Sequence, residues 1–287
     1  MKTRSFEGKV AAITGAASGM GRSLAVLLAR RGCEVAISDV NERGLEETAA
    51  MVTGARCTKR VVDVVNAQDM RAWADEVVRE HGRVNLIFNN AGIAYSATVA
   101  GYDDADFQRV IDIDYWGVVN GTRAFLPHLE ASGDGHVVNT SSVFGLIAFP
   151  GQSCYNSAKF AVRGFTECLR IELEITGSPV TATCVHPGGI KTNIARAARV
   201  HPSLAALGVD IESAGHEFEK LFRTSADDAA EIILRGVAKN QRRVLVGADA
   251  RVIDTIQRLL PTSYQAVVSR LSARMMGRRA RAARARA

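Results

Sequence analysis

Seven short apolar runs recur along the chain, each rich in β-branched residues and bounded by turn residues. Runs of this kind are typical of parallel strands that are buried on both faces of a sheet. The predicted strands cover residues 9–14, 34–38, 57–62, 84–88, 135–140, 180–185 and 243–247.

Longer segments in which apolar residues recur at helical spacing separate these runs. The predicted helices cover residues 21–31, 42–53, 67–80, 103–130, 155–176 and 226–239. Strands and helices in alternation indicate βαβ units. We therefore expect an α/β fold, a doubly wound parallel sheet of the Rossmann-like type, in a single domain over residues 1–247.

Residues 248–287 follow as a C-terminal helical extension. We expect two short helices that are separated by Pro261, followed by a low-complexity end of arginine and alanine. The second helix carries on one side the apolar residues Val267, Val268, Leu271 and Met275. The simpler interpretation is a helix that packs on the domain or on a neighbouring subunit. The alternative is an interfacial helix that makes weak contact with an anionic membrane surface.

The segment 189–225 is the longest irregular stretch and lies where a substrate lid could lie. It contains the apolar residues Leu204, Leu207, Ile211 and Leu221. These residues are consistent with an apolar pocket and a lipophilic alcohol or ketone as substrate. They are equally consistent with ordinary core positions.

The formal net charge of +6 is unevenly distributed. Residues 270–287 hold seven arginines and no acid, so the remainder of the chain carries a net charge of −1. An almost neutral body argues against a protein that binds nucleic acid. The basic end leaves contact with an anionic surface open.

Cysteine usage and hydropathy both favour a cytoplasmic protein. The five cysteines show no paired spacing, as expected of reduced thiols, and the six histidines form no metal-ligand cluster. No apolar run reaches the roughly 18 residues of a membrane span. The stretch MKTRSFEGKV lacks the apolar region of a secretory signal.

A glycine-rich stretch, ITGAASGMGR, follows the first predicted strand and opens a predicted helix. Gly15, Gly19 and Gly21 would let the backbone turn tightly and approach a pyrophosphate, which the helix N-terminus then attracts. Such a loop can also be a simple tight turn. The strand before it and the helix after it are the context that dinucleotide binding requires.

Acidic and amide residues stand at the ends of the next strands. Asp39 can accept hydrogen bonds from the ribose hydroxyls of adenosine and would repel a 2′-phosphate, which favours NAD over NADP. The alternative for Asp39 is a helix cap. Asp63 ends the third strand and could meet the adenine, and the stretch NNAG (89–92) ends the fourth.

Tyr155 and Lys159 lie four residues apart, and so on one face of a predicted helix. A lysine ammonium beside a phenol favours the phenolate, so we expect the pKa of Tyr155 to lie below its ordinary value of about 10. Such a tyrosine can exchange a proton near neutral pH. Ser142, at the end of the fifth strand, could hold a substrate oxygen beside it.

With these motifs in place, residues 8–247 resemble a short-chain dehydrogenase/reductase. The matching stretches are TGAASGMG, NNAG, the serine pair 141–142, YNSAK and HPGGIKT. The resemblance implies that Tyr155 is the general acid/base, that Ser142 orients the substrate and that Lys159 tunes the tyrosine and holds the nicotinamide ribose. It also implies pairing through helices 103–130 and 155–176 into a homodimer or homotetramer.

The resemblance further implies a set of contacts to NAD. They are Gly15, Ser18, Gly19, Met20, Gly21, Asp39, Asp63, Val64, Asn90, Ala91, Gly92, Tyr155, Lys159, Pro187, Gly188, Ile190 and Thr192.

One position departs from the family pattern. The fourth catalytic residue of the family is usually an asparagine, whereas the stretch DIDYWG places Asp114 there, and Asn120 does not fit the spacing. An ionised Asp114 would attract Lys159 and weaken its effect on Tyr155. A buried, unpaired Asp114 would instead be neutral and could donate a hydrogen bond as an amide does. The sequence leaves both states open.

These residues predict an NAD-dependent oxidoreductase that interconverts a secondary alcohol and a carbonyl. The alternative is a nucleotide-binding regulator with little turnover, which Asp114 motivates.

Overall fold

The computed structural model describes residues 4–194, 197–211 and 222–284, and the side chains as far as Arg274. A parallel sheet of seven strands forms its centre. These strands are Val10–Thr14 (β1), Glu34–Asp39 (β2), Cys57–Val61 (β3), Leu86–Asn89 (β4), Gly135–Thr140 (β6), Val180–Pro187 (β7) and Arg243–Val246 (β11). Their order across the sheet is β3-β2-β1-β4-β6-β7-β11. All seven predicted strands are confirmed.

Four two-residue strands pair outside the main sheet. They are Tyr95–Ser96 (β5), Ile190–Lys191 (β8), Arg199–Val200 (β9) and Thr224–Ser225 (β10). β5 pairs with β9, and β8 pairs with β10. Together with a 3₁₀ helix at Pro202–Leu207, these strands organise the described part of the irregular segment 189–225 above the sheet.

Helices cover both faces of the sheet. They are Gly19–Ala29 (α1), Glu42–Met51 (α2), Ala67–His81 (α3), Asp104–Ile111 (α4), Gly117–Ala131 (α5), Ser153–Ile175 (α6), Ala226–Ala238 (α7), Ala248–Leu259 (α8) and Tyr264–Arg284 (α9). One apolar core packs α1 and α7 on one face, and a second packs α3, α5 and α6 on the other. This is the doubly wound α/β fold that the alternating pattern predicts.

Local signals in the sequence define the ends of several helices. The side chain of Asn41 caps α2 by accepting from the N–H of Gly44, and Asn66 caps α3 in the same way. α3 ends at Gly82, whose φ of 76° is readily adopted by glycine. Such caps satisfy backbone groups that the helix itself leaves unpaired.

The strand order reverses between β1 and β4, which lie side by side with Ile13 opposite Phe88. The connections from β1 and from β4 then run on opposite sides of this point, so a crevice opens at the carboxyl ends of the two strands. Residues that follow β1, β4, β6 and β7 therefore converge there.

The segment 103–130 does not form the single continuous helix that its periodicity predicts. Asp112–Trp116 forms a π-helical turn between α4 and α5. The chain packs closely on Val64 directly after this turn: a Cβ on Gly117 would lie 2.6 Å from a methyl group of Val64. The wider turn contains Asp114, whose side chain is fully buried. π-turns are rare and are often found at functional sites.

The extension forms two helices, as predicted, but the expectation that the second is short is wrong. α9 continues to Arg284. Alanine and arginine are strong helix formers, so an Arg/Ala sequence extends a helix once a packed turn has started it. None of the helices in the described part of the chain is both long enough and apolar enough to cross a membrane.

Candidate active site

A cavity of about 470 Å³ lies at the carboxyl ends of the strands. Nine of the expected NAD contacts line it: Met20, Asn90, Gly92, Tyr155, Lys159, Pro187, Gly188, Ile190 and Thr192. Ser142 lines it as well. Most other lining residues are apolar, and Lys159 and Asp249 carry the only charged side chains among the described residues of the lining.

The glycine loop is packed too tightly for side chains at two of its positions. A Cβ on Gly21 would lie 2.2 Å from the carbonyl oxygen of Gly15, and one on Gly15 would lie 2.7 Å from Cα of Ala91. Gly15 also has a φ of +66°. The loop therefore stays close to the NNAG stretch, with the backbone of the α1 N-terminus facing the crevice.

Asp39 ends β2 beside this loop. Its carboxylate accepts hydrogen bonds from the N–H groups of Ala17 and Asn41, each at 3.0 Å. Arg22 contacts the same loop, but its guanidinium donates to the carbonyls of Ala17 and Gly44 and pairs with Glu47. The carboxylate of Asp39 thus anchors the loop, while the nearby guanidinium is already engaged.

Two residues that follow β3 lie differently from one another. Asp63 is exposed, and its carboxylate accepts from the N–H of Val65. The side chain of Val64 is buried in the core against Gly117. Asn120 donates to the backbone carbonyl of Val64, which explains an amide that does not fit the catalytic spacing.

A buried row of polar side chains holds the strand ends of the crevice together. Asn89 donates to Thr122 and to Asn139, and Asn139 donates to Thr166. These bonds connect β4 and β6 with α5 and α6. Asn90 turns the other way, donating to the carbonyl of Thr14 while it lines the cavity.

Tyr155, Lys159 and Ser142 meet at one side of the cavity. The Lys159 ammonium lies 5.4 Å from the centre of the Tyr155 ring and donates to the carbonyl of Thr140. Ser141 fixes the helix that carries both residues, because its hydroxyl donates to the carbonyl of Lys159 at 2.8 Å. The helical spacing of Tyr155 and Lys159 is confirmed.

The expected depression of the pKa of Tyr155 is not found. Burial raises the pKa of Tyr155 above its ordinary value, the Lys159 ammonium and the Ser142 hydroxyl act to lower it, and Asp114 adds to the rise. The sequence shows that the charge of Lys159 is near Tyr155, but it does not show that Tyr155 is buried. Burial removes hydration from the phenolate and so disfavours it.

Asp114 lies directly behind Lys159, with 3.0 Å between Oδ2 and the ammonium nitrogen. The N–H of Ile93 donates to Oδ1 at 2.8 Å. Oδ2 has no well-directed hydrogen bond, so its contact with Lys159 is mainly electrostatic. Both oxygens face donors, which is the environment of an ionised acceptor.

The charges of this pair oppose the effect of burial. The pKa of Asp114 is raised above its ordinary value, because burial outweighs the lowering by the Lys159 ammonium and the Ile93 N–H. Burial alone would lower the pKa of Lys159, but Asp114 and Tyr155 together outweigh that effect and the pKa is raised. A lysine held charged in this way remains an ammonium at neutral pH.

Two buried residues that hold the backbone of the site in place were not expected from the sequence. The buried His186 hydrogen-bonds through Nδ1 to the carbonyl of Ser142 at 2.8 Å, and burial lowers its pKa to about 4. Asn156 accepts from the N–H of Phe149 and donates to the carbonyls of Phe144 and Ile147. Both lie inside motifs already noted in the sequence, HPGGIKT and YNSAK, and their place in these motifs could have identified them as site residues.

The segment after β7 closes the crevice opposite the glycine loop. The side chain of Thr192 lies 3.1 Å from where a Cβ of Gly19 would stand. Asp249, in the first turn of α8, accepts from the N–H of Gly189 at 2.6 Å. A Cβ on Gly188 would lie 2.2 Å from this carboxylate, so a side chain there would have to displace Asp249.

The C-terminal helices form the far wall of the cavity, which the sequence did not indicate. Asp249 and Ile253 of α8 line it, as do Val268 and Ser272 of α9. We call these four residues the C-terminal wall. Tyr264 holds α9 in place, since its buried hydroxyl accepts from the N–H of Ala148 at 3.0 Å.

The apolar positions of the extension do not share one side, contrary to expectation. Val268 faces the cavity, whereas Val267 and Leu271 are 42% and 53% exposed. The side chain of Met275 lies outside the described residues. Adjacent residues on a helix point about 100° apart, so Val267 and Val268 face different surroundings.

The apolar residues of the irregular segment also separate. Leu204 is buried and lines the cavity, and Leu207 lines a neighbouring cavity. Ile211 is partly buried and lines neither, and Leu221 lies outside the described residues.

Comparison with known proteins gives consistent matches. The family model described as short chain dehydrogenase matches residues 9–202. SadH of Mycobacterium tuberculosis, whose name carries an oxidoreductase assignment, is 51% identical over 268 residues, covering 92% of this chain and 95% of SadH. Human estradiol 17-beta-dehydrogenase 11 is 30% identical over 274 residues, covering 94% of this chain and 85% of that protein.

A solved structure supports the same assignment. A short chain dehydrogenase/reductase from Burkholderia phymatum, crystallised in complex with NAD, superimposes with a TM-score of 0.81 and 30% sequence identity. The match covers 89% of this chain and 94% of that one. The fold, the motifs and the relatives agree, and the chain belongs to the short-chain dehydrogenase/reductase family of oxidoreductases.

Proposed function

We propose that this protein is an NAD-dependent oxidoreductase that interconverts a secondary alcohol and a ketone or aldehyde. The observation that carries the proposal is the meeting of Ser142, Tyr155 and Lys159 at one side of a largely apolar cavity. Few polar groups converge in an otherwise apolar pocket, as is typical of sites for small organic substrates.

A nicotinamide cofactor fits the residues of the crevice. The glycine loop leaves no room for side chains where a pyrophosphate would approach, and Met20, Asn90, Ile190 and Thr192 line the same cavity as Tyr155. When bound, the cofactor would supply the hydride acceptor or donor. Asp39, Asn90 and Lys159 are the side chains that we expect to hold its polar groups, with Val64 and Ala91 contributing through the backbone.

The protein's own residues then handle the substrate oxygen and its proton. Ser142 orients the oxygen, because its position is fixed by His186 on one side and by the N–H of Phe144 on the other. Tyr155 takes the hydroxyl proton as the alcohol carbon loses hydride, and returns it in the reverse reaction. A buried phenol that keeps its proton is suited to the acid role in carbonyl reduction.

Asp114 acts in this proposal as an ionised carboxylate that positions Lys159. Its two oxygens face the Lys159 ammonium and the Ile93 N–H, so an added proton would have no acceptor among its described contacts. The pair keeps Lys159 charged but moderates its effect on Tyr155. We therefore favour the ionised state of the two that the sequence left open.

The preference for NAD rests on Asp39 and Arg22. The carboxylate of Asp39 would repel a 2′-phosphate, and the guanidinium of Arg22 is committed to backbone carbonyls and Glu47. Asp39→Ala should therefore raise the affinity for NADPH relative to NADH. Fluorescence titration with each reduced cofactor measures both, and an unchanged ratio contradicts this assignment.

Titration with NADH and NADPH followed by turnover with a panel of secondary alcohols and ketones tests the main proposal. We expect tight binding of NADH and turnover of apolar substrates. Cofactor binding without turnover by any substrate would support the alternative, a nucleotide-binding regulator. That alternative is motivated by Asp114 and disfavoured by the presence of Ser142, Tyr155 and Lys159.

We further propose a cytoplasmic homodimer or homotetramer that pairs through α4–α5 and α6. These helices expose large apolar side chains, namely Trp116, Phe160, Ile171 and Ile175. Sedimentation velocity should give a mass of two or four chains of 30.8 kDa. We treat residues 1–247 as the dinucleotide-binding and catalytic domain and 248–287 as its extension, which completes the pocket.

Weak contact of the basic extension with anionic membranes is also proposed. α8 and α9 expose Val252, Ile256, Leu259 and Leu271, and the seven arginines follow from Arg270 onward. Apolar side chains beside arginines are typical of interfacial helices. Co-sedimentation with phosphatidylglycerol vesicles, but not with phosphatidylcholine vesicles, should be lost when residues 272–287 are deleted.

A further inference from the structure

A second cavity lies against the first and has no place in the function described above. It is bounded by the 3₁₀ helix at Pro202–Leu207, the start of α6 and the side of α9. Its lining residues are Val99, Ala148, Phe149, Pro150, Gly151, Ser153, Asn156, Ser157, Ala206, Leu207, Gly208, Gln265, Val268, Ser269, Ser272 and Ala273.

The two cavities share a wall. Phe149, Pro150, Gly151, Val268 and Ser272 line both of them. At Gly151 this wall has no side chain, and a Cβ there would lie 2.6 Å from a methyl carbon of Leu204. The φ of +79° at Gly151 also favours glycine. Leu204, which lines the first cavity, and Leu207, which lines the second, thus both pack against Gly151 at this wall.

The chemistry of the second cavity restricts what it can hold. Among the described residues that line it, no side chain is charged, and the polar groups are hydroxyls and amides. Asn156 is already bonded to the backbone of the loop 144–149. A charged group would lose hydration here without gaining a partner of opposite charge, whereas burial of an alkyl chain is favourable.

We infer that the second cavity holds the distal part of an elongated, apolar substrate whose carbinol or carbonyl carbon lies beside Tyr155. This inference rests on the proposed function and specifies its substrate class as a long-chain secondary alcohol or ketone. The reacting end occupies the first cavity, and the chain passes the shared wall between Gly151 and Val268.

A chain-length series tests this substrate class. The specificity constant kcat/KM is measured with NAD for 2-alkanols from 2-butanol to 2-tetradecanol. Each buried methylene should raise it by about fourfold until the chain leaves protein contact. We expect the increase to continue to the longest chains in the wild type. In the variant Ala206→Trp the indole fills the second cavity, so the ratio for 2-tetradecanol over 2-butanol should fall at least tenfold.

A matched control separates filling of this cavity from a general effect of a surface tryptophan. Ala131→Trp places the same side chain at an exposed position on α5 that lines neither cavity, and should keep the wild-type ratio. Equal ratios in Ala206→Trp and Ala131→Trp would overturn the inference, as would a wild-type series that stops rising at short chains.

A binding measurement distinguishes failure of this inference from failure of the proposed function. The neutral fluorophore N-phenyl-1-naphthylamine is displaced from the protein by the same alcohols, without turnover. Displacement that strengthens with chain length in the wild type and in Ala131→Trp, but not in Ala206→Trp, supports the second cavity even if no alcohol is oxidised. Length-independent displacement, or none, overturns it even if short alcohols are oxidised.

Discussion

The two sides of the cavity are held in place by different means. The polar corner, formed by Asp114, Ser142, Tyr155 and Lys159, is fixed by a buried ion pair, by hydrogen bonds from His186 and Ser141, and by the helix that carries Tyr155 and Lys159. The C-terminal wall depends instead on a few contacts between the extension and the domain, such as those of Tyr264 and Asp249.

This difference separates chemistry from recognition. A proton transfer needs groups placed within tenths of an ångström, and buried hydrogen-bonded neighbours provide that placement. A wall that contacts apolar substrate needs shape but little directional bonding. Changes at the polar corner should therefore act on kcat, and changes at the wall should act on KM and on substrate length.

The largest expected effect is at Tyr155. Tyr155→Phe removes the proton donor and acceptor while keeping the ring, and kcat should fall about 10³-fold because general acid–base catalysis contributes on this scale. Affinity for NADH, measured by fluorescence titration, should stay within about twofold. Tyr102→Phe, whose ring packs on Phe107 outside the cavity lining, is the control and should keep its rate. A comparable loss in that control would place the effect in folding.

A variant of His186 tests whether a buried, neutral histidine stabilises the polar corner. Its pKa is lowered by burial from 6.5 to about 4, so its contribution to stability is present above pH 6.5 and is lost as pH falls toward 4. That contribution is worth about 3 kcal/mol. Urea unfolding at pH 7 and pH 4 should show that the stability difference between wild type and His186→Gln narrows by about this amount.

A constant difference at both pH values would mean that His186 is not held neutral. The buried His136 has a lowered pKa for the same reason, so it should also lose stabilising effect at acid pH. The difference in unfolding free energy between wild type and His136→Gln should likewise be smaller at pH 4 than at pH 7. The value of kcat should not change, since the described hydrogen bonds of His136 are only to Thr181 and Thr183.

Tyr264 tests the C-terminal wall. Tyr264→Phe removes the acceptor for the N–H of Ala148, which should cost about 1 kcal/mol of unfolding free energy. A loosened wall should raise KM for long alcohols several-fold and leave kcat nearly unchanged. Steady-state kinetics with 2-dodecanol measures both constants. A fall in kcat with KM unchanged would contradict the division of roles between the two sides.

Asp114→Asn should have the smallest effect on maximal rate and acts on its pH dependence. Asp114 helps to raise the pKa of Tyr155, so its neutralisation should lower that pKa. The limb in which alcohol oxidation speeds up as Tyr155 loses its proton should then move to lower pH. Profiles of kcat and kcat/KM against pH, recorded with saturating NAD, would show the shift. Superimposable profiles for the two proteins would exclude an electrostatic effect of Asp114 on Tyr155.

The sequence determined the sheet, the glycine loop and the Tyr155–Lys159 pair, because each depends on local periodicity or on spacing along one element. The seven strands, the crevice at their carboxyl ends and the departure at Asp114 could all be read in this way. The sign of the pKa shift of Tyr155 could not, since it depends on how completely the folded chain excludes water from the phenol.

Only the tertiary structure decided what surrounds these groups. The π-turn that buries Asp114, the bond from His186 to Ser142 and the wall formed by α8 and α9 all join segments far apart in the chain. Helical periodicity shows which face of a helix is apolar, but not which part of the protein that face contacts. Val267 and Val268 illustrate the limit, because two adjacent valines face solvent and the candidate substrate cavity respectively.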